Sequence, residues 1–521
     1  MEKKIIIDGV ITKMIKKVKP QWWAALIGGM LCGLVAYTYI ITNNFLTYDS
    51  TWNIYSDQDM ITSGRQFLTY ACGISSFYNL PWLNGILAIL YLSLSAVVVV
   101  EGLGIESKVG AALSGGLLVT FPAIASTFCY IFTIDGYMLA VLLASLAFLF
   151  ADRKKWGFLG GILLLGVSIG IYQAYLSFTI ILCILRLLLD VLEKEDLKEI
   201  WAKIWRYIVM GIGAYIFYVV TLKIMLYAKG VELSGYQGTD RVTGVILTDI
   251  PAGLVEALKS FGRFFMPGNV LQSNKLLFIA FCLVLLLAAV MYVIHFCKEK
   301  RYKSILRIAL ALGLAVAIPF GANIVNILSP YTYFHLLLRL PWALFLIFAL
   351  VLIEIDCKTK KTALERIWKS GCGLVLICAV LLIGRFCIMA NIVGFNMNER
   401  YEKTYATCVR IVDRIEQTPG YKTGTKVAIL GGFPNHEFYY PTDITIEDLA
   451  GFFGADGSVF VSSSEGYAKV FKHYLNFTVN YIPAEEEYPL VFTEEFAAMP
   501  RFPAEGSIAF IGDVLVVKIN G

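Results

Sequence analysis

Residues 22–42, WWAALIGGMLCGLVAYTYIIT, run directly into residues 43–80, NNFLTYDSTWNIYSDQDMITSGRQFLTYACGISSFYNL. The first stretch is uncharged and has the roughly 20 apolar residues that a hydrocarbon core demands. The second carries Asp49, Asp57, Asp59 and Arg65 among eight aromatic side chains, from Phe45 to Tyr78. A crossing followed at once by an acidic, aromatic loop predicts a membrane protein with chemistry at the bilayer surface.

The rest of the chain repeats the first half of this pattern. It has 521 residues, 58% apolar and only 16% charged, where a soluble domain carries about 25% charge. Ten more apolar runs follow, near Pro81–Val100, Val109–Ile131, Tyr137–Ala151, Phe158–Ile171, Ala174–Leu192, Tyr207–Tyr227, Leu276–Phe296, Ile308–Leu328, Phe334–Ile355 and Gly371–Gly394. Tyr137–Ala151 and Phe158–Ile171 are short enough to be re-entrant instead. The fold class expected is a polytopic α-helical membrane protein of about 11 transmembrane helices.

Lys and Arg test the order of the crossings. They gather at Lys3 to Lys19, at Arg153 to Lys155, from Lys194 to Arg206, from Lys298 to Arg307 and from Lys358 to Lys369. With eleven crossings all five clusters fall on one side. The opposite loops near Thr133–Gly136, Tyr172–Gln173 and Ser329–Tyr333 contain none. Basic loops stay cytoplasmic, so the N-terminus (1–21) is expected inside, in the plasma membrane, with the loops 43–80 and 228–275 outside. The formal charge of +5 then reflects topology, and no nucleic-acid partner is implied. A cleaved signal peptide needs a shorter apolar region and a small-residue site after it, so the first run reads as a retained span. The eleven cysteines, scattered mostly inside apolar runs, form no CxxC, so neither zinc nor a disulfide framework is indicated.

Composition changes near Gly394. Beyond it, Asn396–Gln417 has helical spacing, Lys426–Leu430 reads as a strand before a Gly431–Pro434 turn, Gly466–Leu475 as a helix, and Ser507–Ile519 as two strands around Gly512-Asp513. Residues 395–521 are expected to form a small extracytoplasmic α/β domain on a membrane domain of 22–394. In the loop 228–275, Pro251–Phe265 places Leu254, Leu258, Phe261 and Phe265 on one helical face, with Thr248 or Asp249 as cap. Such a helix either lies in the bilayer interface or packs on the membrane domain.

Several side chains are candidates for chemistry. The aspartates of 43–80 are either a solvated surface or, folded down at the interface with the aromatics, partly desolvated carboxylates with pKa values raised toward those of general bases. Asp135, in a short turn after the third run, is a helix cap or a functional acid at membrane depth. Tyr172 and Gln173 interrupt the run 158–192 as a turn in the aromatic belt. Lys223, Arg263, Arg339 (beside His335) and Arg385 are cations on or near spans. Snorkelling accounts for Lys223 and Arg339, whereas Arg385 sits deep. Such groups also hold phosphate.

The order Tyr48-Asp49, Ser63-Gly64-Arg65, Asp135, Tyr172-Gln173-Ala174 and Arg339-Leu340-Pro341 resembles the bacterial glucosyltransferase II family, the serotype-converting enzymes of the GT-C class, over roughly residues 20–395. The resemblance implies a GT-C-like fold and an inverting hexosyltransferase, moving glucose or another hexose from a polyprenyl-phosphate donor to a cell-envelope glycan. It makes Asp49 the base, with Asp135 as a second catalytic acid. Arg65, Lys223 and Arg339 become ligands of the donor phosphate; Asp57, Asp59, Tyr172 and Gln173 become acceptor or supporting residues. No cofactor is implied; Asp57, Asp59 and Asp135 are the residues that a divalent metal would use. The rival readings are a surface-polysaccharide polymerase or ligase, a lipid-linked sugar flippase, and an assembly protein. A flippase predicts polar groups at mid-span, where this chain is mostly clean.

Overall fold

The structure, a computed structural model, describes residues 18–153, 155–194, 196–235, 249–266, 275–329, 335–355, 363–432 and 459–519. Among the described residues, each apolar run falls largely on helix. The first forms α1 (Pro20–Thr42), with Pro20 at its start, where the missing N–H costs nothing. After it, residues 43–80 form 3₁₀ turns at Asp49–Trp52 and Ile61–Ser63 and the short α2 (Leu68–Cys72). Then come α3 (Pro81–Leu103), α4 (Lys108–Thr120) and α5 (Pro122–Phe128).

The run expected as one span at Val109–Ile131 is broken here, with a bend of 44° between α4 and α5. Pro122 supplies no N–H and pushes Phe121 out of helical geometry, to φ −53° and ψ 139°. The Val119 carbonyl beside the bend accepts the Tyr37 hydroxyl at 3.0 Å. Further on are α6 (Ile134–Arg153), α7 (Gly157–Ile171), α8 (Leu176–Glu193), α9 (Leu197–Lys229), α10 (Ile250–Arg263), α11 (Lys275–Lys298), α12 (Ile305–Ala322), α13 (Ile324–Leu328) and α14 (Pro341–Glu354). Among the described residues, nine helices are long and apolar enough to cross a membrane, or ten if α4 and α5 count as one; α7 is a shorter apolar helix. The protein is a multi-pass membrane protein.

Two expectations are corrected. The last apolar run and the helix expected at Asn396–Gln417 are one element: α15 runs unbroken from Ala363 to Gln417. No proline occurs within it, and it stops where Pro419 and the left-handed Gly420 (φ 90°) follow. The expected apolar face of α10 also differs. Gly253, Ala257 and Ser260 are its buried residues, because a Cβ at Gly253 would lie only 2.8 Å from the Ile327 Cα. Phe261 turns in on Trp342, while Leu254 and Leu258 face outward. Asp249 holds the cap position without a side-chain capping bond; Thr248 lies outside the described residues.

Residues after α15 form a four-stranded sheet in the order β2-β1-β4-β3, from β1 (Lys426–Leu430), β2 (Asn480–Tyr481), β3 (Ile508–Ile511) and β4 (Val514–Lys518). β1 is parallel to both neighbours and β3–β4 is an antiparallel hairpin. Side chains alternate across it. Val427, Ile429, Leu515 and Val517 pack on Cys408, Ile411 and Ile415 of α15 and on Phe471 of α16 (Ser464–Tyr474). Ala428, Leu430, Val514 and Val516 meet Ile482, Phe496 and Met499 on the other face. Leu46, far away in sequence, is buried in the first of these two cores.

Candidate active site

Arg65 is positioned by a turn only glycine makes easily. Gly64 has φ 71°, and its carbonyl accepts the Tyr218 hydroxyl (3.0 Å) and the Gln173 side-chain amide (2.9 Å). The same amide reaches the Ser63 carbonyl at 3.1 Å. The turn is thus tied to α9 and to the α7–α8 connection. From it the Arg65 guanidinium lies 4.8 Å from the Tyr172 ring centroid and donates to the Tyr137 hydroxyl at 3.0 Å. Tyr172 in turn stacks on Tyr137 (centroids 4.6 Å apart, 19° between planes). A guanidinium on an aromatic face keeps its charge while losing much of its freedom.

Asp49 opens the 3₁₀ turn Asp49–Trp52. Its carbonyl accepts the Asn53 amide at 2.7 Å, and Asn53 accepts from Gln58 at 2.8 Å. Its carboxyl is half-buried, and that burial raises its pKa above the ordinary aspartate value. Burial also raises the pKa of the Tyr130 hydroxyl, with the Asp49 charge contributing. His335 is pushed the other way, by burial and then by the Arg339 charge, so its imidazole is neutral at neutral pH.

These groups share a cavity of about 400 Å³ whose lining includes Asp49, Trp52, Asn53, Arg65, Tyr130, Tyr137, Tyr172 and His335. That volume lies within the usual range of small-molecule sites, about 300–1,000 Å³. One carboxylate, one clamped guanidinium and several hydroxyl and ring faces suit a polyol that bears an anionic leaving group.

The remaining sequence candidates lie elsewhere. Gln173 sits behind the Arg65 turn as its strut. Asp135 belongs to the first turn of α6, where acid suits the helix dipole. It is 1% exposed, hydrogen-bonded by Ser75, and does not line the cavity. Asp57 and Asp59 are exposed; Asp57 accepts the Asp59 N–H, and Asp59 pairs with Lys229. Lys223 is exposed on α9. Arg339 is fully buried, bonded to Asn323 and 5.5 Å from the Trp342 ring. Among the described residues, no three His, Cys, Asp or Glu side chains gather as a metal site. Sequence reading missed Tyr130, Tyr137 and Asn53 and noted His335 only as a neighbour of Arg339. The available signal was position, since each borders a turn on the side of Asp49.

A sequence model of the family described as Glucosyl transferase GtrII matches residues 38–338, which hold every lining residue named above. No curated protein and no solved structure matches the chain.

Proposed function

The chain belongs to the glucosyl transferase GtrII family and is a glycosyltransferase of the membrane; on that premise we propose that it moves glucose from polyprenyl phosphate to a cell-envelope glycan on the outer face, with inversion. Asp49 is the general base. The observation that carries this reading is the half-buried Asp49 carboxyl, with its raised pKa, in one cavity with the stacked Arg65. In the reaction an acceptor hydroxyl attacks the anomeric carbon as its proton passes to the Asp49 carboxylate. The bond from that carbon to the phosphate oxygen breaks on the opposite face, and lipid phosphate departs with the electron pair. Arg65, held by Tyr172 and Tyr137, stabilises the charge that develops there, which is worth most from donors fixed in advance. Lys223 and Arg339 do not line the cavity, so the donor phosphate falls to Arg65.

The outer-face assignment rests on counting α4–α5 as one crossing and α7 as another, which makes eleven. With basic loops inside, the cavity and the sheet domain then lie outside.

The test is transfer by membranes containing wild-type protein or Asp49→Asn, supplied with polyprenyl-phosphate glucose. We expect kcat to fall about 10²–10⁴-fold, the usual contribution of a general base, with donor binding kept. Full activity in Asp49→Asn removes the base assignment. A wild type that neither binds nor uses the donor removes the donor class.

A further inference from the structure

The helix α6 begins at the Asp49 cavity and ends about 30 Å away, at 1.5 Å per residue, among buried and half-buried charges. Most of these are matched. Lys203, 4% exposed, bridges Asp152 at 2.7 Å and Asp190 at 2.5 Å. Arg186 holds Asp190 and Glu193, while Arg153 and Lys19 share Glu101.

Beside this network opens a second concavity, about 710 Å³, at the start of α7 and α9. Among the described residues, Lys155, Lys194 and Arg206 line it with one carboxylate, Glu199, and Trp156 and Phe158 form its apolar wall. Glu199 is taken by Lys194 at 3.1 Å. Arg206 is oriented by the Asp152 carbonyl at 3.4 Å, and Lys155 makes no ion pair among the described residues. Among the described residues the lining thus holds three cations and one carboxylate. Trp156 is 68% exposed and Trp205, one turn C-terminal to Trp201 on α9, 63%. Exposed Trp at the end of an apolar helix marks the headgroup level. Below Trp156, Leu159 and Leu163 continue the same outward face of α7.

We propose that this concavity binds the headgroup of an anionic phospholipid, its phosphate between Lys155 and Arg206 and its acyl chains along Phe158, Leu159 and Leu163. Charge selects the headgroup, since cations between helices at the membrane surface hold lipid phosphates. The apolar wall running into the lipid-facing side of α7 selects a lipid over a soluble anion.

The experiment is native mass spectrometry of the purified full-length protein in neutral detergent, titrated with phosphatidylglycerol or phosphatidylcholine. One phosphatidylglycerol should bind in preference. Lys155→Gln and Arg206→Gln should each weaken it about fivefold, the effect of about 1 kcal/mol per cation. Lys303→Gln, in another basic cluster, should leave it unchanged, as should millimolar inorganic phosphate. Equal weakening by Lys303→Gln overturns the proposal in favour of diffuse surface charge. So does equal binding of the two lipids, and so does displacement by inorganic phosphate. Lys155 is exposed, so its variant reports even if Arg206→Gln fails to fold. None of these readouts involves sugar transfer.

Discussion

The raised pKa of Asp49 has consequences for both activity and stability. A base works only when ionised, so kcat/KM should fall on acidification. It should do so at a higher pH than an exposed aspartate, of pKa about 3.9, would require. A kcat/KM profile whose acid limb sits at the exposed-aspartate value would contradict this. For stability the sign is opposite to that of a salt-bridged acid. A carboxyl whose folded pKa is raised favours folding at low pH, and this contribution is lost as pH rises through the folded pKa. Asp49→Asn removes a buried charge and should denature no earlier than wild type at pH 7 while losing transfer. Asp49 and Arg65 stood out in the sequence because charged groups are rare on the side of the chain with few basic residues, whereas Tyr172 became a candidate only through the family resemblance. Tyr137 and Tyr130 were not legible, since a tyrosine at a helix end also reads as an aromatic-belt residue. The burial of Arg339 was not legible either, because its partner Asn323 lies on another helix end, 16 residues earlier.

At the level of elements, apolar runs located the helices but gave no hint of which faces touch. The contact between α1 and α4 depends on the absence of side chains. A Cβ at Gly28 would lie 2.5 Å from the Ala112 carbonyl oxygen and 2.9 Å from its Cα, and backbone cannot move aside. Gly28→Ala should cost about 1–3 kcal/mol, the range for overpacking, seen as earlier thermal inactivation in detergent. Gly211→Ala on α9, where a Cβ meets nothing within 4 Å, is the matching control and should change little. The break at Pro122 and the continuity of α15 were readable only in part. Proline announces a bend without its angle, and a composition shift near Gly394 looks like a boundary although the backbone there has no reason to stop.

For the molecule as a whole, the sheet domain is fastened to the loop that carries Asp49. Leu46 is buried in that domain's core, Asn44 donates to the Tyr474 hydroxyl at 3.3 Å, and Lys469 stands 3.6 Å from the Trp52 ring centroid. Trp52 in turn lines the cavity. Leu46→Ala should cost about 2–5 kcal/mol of this docking, as large-to-small core changes do. Faster amide exchange in 459–519 and in the Asp49 loop together would report it; exchange confined to the loop would show that the two are not joined. The strand and helix positions of this domain were visible in sequence, but its attachment to a residue hundreds of positions earlier was not.

The uninterrupted α15 has a mechanical corollary. A helix of 55 residues is about 80 Å long, and no proline interrupts it. The phase of this single screw thread, together with the Leu46, Asn44 and Lys469 contacts, therefore sets the azimuth of the sheet domain. One residue added between Phe395 and Arg400 would swing the domain by about 100° and lift it by 1.5 Å; seven would restore its bearing to within about 20° while raising it about 10 Å.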